Sequence, residues 1–117
     1  MKIYLERASV SMNDDINAPH AKEFEAPEGI SIERIIKNYI SSGYLPLVAG
    51  GHATWSVFSN IPIAIIAQEW LEPKMFFTPM KQLDIQNDTI RLFVNYHAQT
   101  NPDTVYKVFW GLQLKAS

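Results

Sequence analysis

The stretch "VAGGHATWS", residues 48–56, sets Gly50 and Gly51 beside His52, with Trp55 close behind. Three kinds of chemistry suit such a run: a phosphate-cradling loop, a catalytic histidine on a turn, or the reversal of a β-hairpin. A phosphate loop needs backbone N–H groups converging on an anion, usually where a helix begins. Here the glycines precede an alternating strand pattern, and the lysine and the serine or threonine of a P-loop are missing. A Gly-Gly hairpin turn is the expectation. His52 then opens a strand, on its polar side with Thr54 and Ser56, as scaffolding and not as an acid or base.

The other histidines are His20 and His97, each in or beside a loop. None stands at H-x-x-x-H or H-E-x-x-H spacing, so neither a metal site nor a cofactor is expected. Asp14-Asp15 lacks the rest of a calcium loop: no ladder of Asp or Asn, no turn glycine, no closing glutamate. Glu69 and Glu72 bracket Trp70-Leu71 where a strand ends, a place for surface carboxylates. The chain has no cysteine, which excludes disulfides, thiolate nucleophiles and zinc–thiolate sites. No G-x-S-x-G, S-x-x-K or kinase-like set occurs.

The aromatic residues say more. Trp55, Trp70 and Trp110 are large anchors for a chain of 117 residues. In "MFFTPM", residues 75–80, Met75, Phe76, Phe77 and Met80 fit neither helical nor strand spacing. They either cover a second face of the sheet, the expected role, or stay open as an adaptable contact surface. The formal net charge of −2, from 10 basic and 12 acidic residues, argues against counterion-driven nucleic-acid binding. A 47% hydrophobic and 19% charged chain of this length fits one globular domain over residues 1–117. The longest apolar run, Ile61 to Ala67, is too short for a bilayer. Charges interrupt the first residues, so no signal peptide and a cytoplasmic location are expected.

The elements that must position these side chains are partly explicit. Residues 2–12 read as a strand whose phase slips near Glu6-Arg7, suggesting a bulge or a bend. Residues 21–26 alternate, with Glu23 and Glu25 opposite Phe24, and suit a strand pairing back on the first. Ser31 is a good helix N-cap, and Ile32, Ile35, Ile36, Tyr39 and Ile40 form one apolar stripe ending at Gly43. Ile61 to Ala67 is apolar at both parities and reads as a strand buried on both faces, with Pro62 at its start. Residues 71–87 have no clean period and read as an irregular crossing segment. Ile90, Leu92, Val94 and Tyr96 alternate cleanly. Tyr106, Val108, Trp110, Leu112 and Leu114 alternate as well, after a turn signature at Asn101-Pro102-Asp103. The last two runs therefore predict a terminal hairpin.

The predicted fold is α+β: a mainly antiparallel sheet of about six strands with one amphipathic helix, residues 31–42, on one face. The strand–strand–helix–strand opening resembles the ubiquitin-like β-grasp in element order alone, and such a resemblance carries no function. The functional expectation is a non-catalytic protein-binding module, one version being an immunity-type inhibitor of a toxin or enzyme. Asp14, Asp15, Glu23 and Glu25 would steer the partner, and Trp70, Met75, Phe76 and Phe77 would anchor it. No nucleic acid or membrane enters this reading, and the oligomeric state stays open. The alternatives are a small enzyme or ligand-binding domain with a pocket between the sheet and residues 71–87, and an assembly subunit with a free strand edge. In the enzyme, His52, His97 or Glu69 would act as acid or base near Tyr44 or Tyr96.

Overall fold

The computed structural model describes residues 1–8, 20–41, 44–46, 48, 50–76 and 80–116. Residues 9–12, Asp14, Asp15, Gly43 and Phe77 lie outside them, and so do the expectations attached to those residues. The elements are β1 (Lys2–Arg7), β2 (Lys22–Glu25), α1 (Ile32–Ile35) with a π-helical turn (Ile36–Ser41), β3 (Thr54–Ser59), β4 (Ile61–Ala67) and β5 (Lys74–Met75). A 3-10 turn (Met80–Gln82), β6 (Ile85–Gln86), β7 (Thr89–Tyr96) and α2 (Pro102–Ala116) complete the order.

The fold is α+β, with a mixed seven-stranded sheet in the order β2-β1-β7-β3-β4-β5 and β6 paired to β7. The sheet is less antiparallel than the sequence suggests, because β1 runs parallel to β7, from Lys2 opposite Thr89 to Arg7 opposite Val94. That register is unbroken, so the expected bulge at Glu6-Arg7 is absent. Ala8 extends the ladder by donating to the Val94 carbonyl at 3.0 Å.

Alternation decides which residues meet on the first face. Ile3, Leu5, Trp55, Val57, Ile90, Leu92 and Val94 are all buried there in one cluster. Ile35, Ile36 and Ile40 of the first helix belong to the same cluster. Ser31 caps that helix as expected, its Oγ accepting from the Arg34 amide at 3.2 Å. After Ile35 the winding loosens to a π-helical turn. Bonding from i to i+5 aligns Ile35 with Ile40, and both stay buried.

Strand β4 is buried on both faces. Asn60, at φ 67°, makes the tight link from β3, a backbone region that asparagine tolerates better than most residues. Pro62 pairs with Phe58 and Ala64 with Val57, which leaves Ile63 unopposed as a bulge. A proline beside a bulge costs the ladder little. The described residues of 71–87 hold more order than their pattern shows. Asn87 and Asp88, both at positive φ, form a two-residue turn that joins β6 to β7.

Two expectations fail here. Gly50 and Gly51 do take left-handed φ values of 94° and 71°, and the Gly51 amide donates to the Val48 carbonyl at 3.1 Å. Among the described residues before them, however, no strand leads into this turn, and the expected hairpin is not seen there. The second failure is the terminal strand. Residues 102–116 are a helix that packs on β4 and β3. Asn101 Oδ1 accepts from the amides of Asp103 at 2.9 Å and Thr104 at 3.4 Å. Proline at the first helical position and an acid after it complete a helix start. The helix covers the sheet's second face, which explains why Thr54 and Ser56, expected on an open polar side, are fully buried. No helix among the described residues is long and apolar enough to cross a membrane.

Candidate functional site

The second face of the sheet ends in an aromatic surface built by β4, β5 and α2. Lys74 pairs with Ile65 and Met75 with Ala64. The Phe76 amide then donates to the Ile63 carbonyl at 3.0 Å, fixing the ring that follows. Phe76 is buried with Ile65 and Val105. Tyr106 stacks on it at 4.9 Å between ring centres and 9° between planes. Trp110, one helical turn on, lies 6.3 Å from both Tyr106 and Phe76 in stacked orientation.

Lys74 closes the other end. Its Nζ sits 4.8 Å from the centre of Trp70 and 5.2 Å from that of Tyr106, and 3.3 Å from Asp103 Oδ1. Contacts of an ammonium with aromatic faces are weakly favourable each. Together with the ion pair they hold a long side chain in one place. The result is a continuous run, Trp70–Lys74–Tyr106–Trp110, resting on a buried phenylalanine. Trp110 remains 44% exposed, and Leu71, beside Trp70, is fully exposed.

Of the residues singled out from sequence, Trp70 and Phe76 meet here. Phe76 is buried beneath the other rings. Met75 points to the first-face cluster, half-buried. Glu23 and Glu25 lie on β2, at the opposite edge of the sheet from β5. Glu23 pairs with Lys2 at 3.5 Å and Glu25 with the N-terminal ammonium at 3.3 Å. The acids and the aromatic anchors are thus not one site. Sequence reading missed Lys74, Asp103 and the pairing of Tyr106 with Trp110. The signal for Tyr106 and Trp110 was the Asn-Pro-Asp helix start, which puts residues 106 and 110 on one helical face.

Two of the acid–base candidates, His52 and Glu69, come together, at the surface. His52 is exposed, with Nδ1 3.6 Å from Glu69 Oε2. Tyr96 packs on Trp55 at 4.8 Å. Tyr44 donates its hydroxyl to the His20 carbonyl, and burial pushes its pKa up to about 12. A cavity of about 170 Å³ does open between the sheet and residues 70–73. Among the described residues its one titratable side chain is Glu72, paired with Lys37 at 3.2 Å, so no acid–base couple is found there. Among the described residues no three metal-binding side chains converge.

His97 is the exception among the histidines. It sits at the end of β7, half-buried, with Nε2 2.6 Å from the Oγ of fully buried Ser56. Burial lowers its pKa below the ordinary 6.5. As pH falls, the unfolded chain takes up this proton first. Stability from the neutral ring is therefore intact above the ordinary value and declines below it, until the folded ring is protonated too. Between about pH 7.5 and about pH 5.5, the urea midpoint should fall further for the wild type than for His97→Gln. Equal losses would assign the acid sensitivity to other groups.

Comparison of the chain with protein families, curated proteins and solved structures finds no match. The functional reading therefore rests on the residues themselves.

Proposed function

We propose that the chain is a protein-binding module whose contact surface is the aromatic run on α2 and β5. The observation that carries this is the exposure of Trp110 and Leu71 beside a run of side chains already held in place. Binding energy concentrates in large aromatic anchors that lose little freedom on association. A tyrosine stacked on a buried ring, and a lysine clamped by two rings and a carboxylate, are ordered before any partner arrives. A surface made only to close the core has no need to leave an indole open.

The arrangement of β1, β2, the first helix and a central strand parallel to β1 supports a β-grasp-like reading of the fold. That reading adds no function by itself. The immunity-type version has less support. It relies on free carboxylates to draw in a basic partner, and Glu23 and Glu25 are already ion-paired.

A photo-reactive amino acid at position 71 tests the proposal. In the source cell, it is expected to capture one defined protein that the same group at Gln86, on β6, does not. Identical adducts from both positions, or none from position 71, would overturn the reading.

A further inference from the structure

A second site lies beside the first helical turns of α2, away from the aromatic run. A cavity of about 190 Å³ is lined by His97, Thr100, Thr104, Val105, Val108 and Phe109. Among the described residues, no charged one lines it. Phe109 is fixed edge-on against Phe58 at 5.1 Å, with its ring 5.5 Å from that of His97. The turn beneath is closed by the Thr100 amide donating to the His97 carbonyl at 3.1 Å. Ala98 is held at φ 53°, a conformation that non-glycine residues adopt at some cost. The imidazole is thus set in place by its backbone, by Ser56 behind it and by Phe109 beside it.

Only one ring nitrogen is used by this support. Nε2 meets Ser56, whereas Nδ1 has no hydrogen-bond partner among the described residues and is not sealed from solvent. A neutral imidazole has one donor and one acceptor nitrogen. Whichever role Nε2 takes toward the serine hydroxyl, Nδ1 keeps the other. A ligand hydroxyl satisfies either case, since it both donates and accepts. A carboxylate or ammonium fits badly, because an apolar wall without an opposite charge penalises an ion.

We propose that this cavity binds a small neutral alcohol of about phenol size, its hydroxyl on His97 Nδ1 and its body against Val105, Val108 and Phe109. Size agrees, since benzene fills an apolar cavity of about 150 Å³. Ser56 is a positioning residue: fully buried, it touches the imidazole and no ligand.

Phenol is the probe, titrated into ¹⁵N-labelled protein and followed by amide and imidazole shifts. Shifts confined to residues 97–109 are expected to saturate with a Kd on the order of 1 to 10 mM. Benzene lacks the hydroxyl and should bind about fivefold more weakly. His97→Phe keeps a ring in place and should erase that preference. Val108→Trp alters an exposed position and should block the cavity in a chain whose amide dispersion shows it folded. Shifts that rise linearly without saturation, equal affinities for phenol and benzene, or unchanged phenol binding in folded Val108→Trp would each overturn the proposal.

Discussion

Lys107→Pro is expected to cost about 3 kcal/mol or more, and to lower the far-ultraviolet helical signal, while Lys107→Ala changes stability by no more than a few tenths of a kcal/mol. Lys107 is exposed in the middle of α2, so neither variant removes a buried contact. Proline at that position deletes the amide that donates to the carbonyl of Asp103, four residues earlier, and its ring crowds that same carbonyl. The damage spreads beyond the helix. Val105 is buried against Ile65 and Phe76, and the fully buried Thr54 and Ser56 lie on the face that α2 covers. Loosening the helix exposes that face and breaks up Tyr106–Trp110 stacking on Phe76. Urea unfolding with circular dichroism reads both effects. If residues 105–114 were instead an edge strand, proline at an unpaired amide would cost far less, and the helical signal would not change.

That contrast marks where sequence reading stopped. Val105 to Leu114 is so rich in apolar residues that spacing by two and spacing by three and four both fit. Its β-branched and aromatic content favours a strand, and docking on β4 overrides that preference. The deciding letters were Asn101-Pro102-Asp103. A type I turn and the first turn of a helix share nearly the same backbone angles, so one signature suits both. The error then spread. Without a second helix nothing covers the second face, and Thr54 and Ser56 read as solvent-facing.

Elsewhere the pattern was sufficient. Ile90, Leu92 and Val94 are buried as their alternation requires, Ser31 caps its helix, and β4 is closed on both faces. In each case a local rule and the tertiary environment agree. The parallel β1–β7 pairing was out of reach, because alternation states which face a residue takes and not which strand lies beside it. The aromatic surface was half-visible for the same reason. Trp70 stood out by type, yet its relation to Tyr106, some thirty-five positions later, is made by β5 and α2 packing side by side.

Trp110→Ala should weaken binding of the protein captured from position 71 by about 2 kcal/mol, roughly thirtyfold in Kd, in a chain that stays folded. The indole is 44% exposed, so part of its apolar area is free to be buried by a partner. The floor beneath it is intact in the variant: Phe76 keeps its stacking with Tyr106, and Lys74 keeps Trp70 and Asp103. Lys74→Ala tests the ordering itself. It removes the cation that joins Trp70 to Tyr106 and should weaken the partner less than the indole deletion, mainly through faster dissociation. Calorimetry and surface-bound kinetics measure the two terms. A partner that tolerates Trp110→Ala within twofold would show that the open indole is not the anchor. The aromatic run would then be a lid on the second core, and the binding surface would have to be sought on another face.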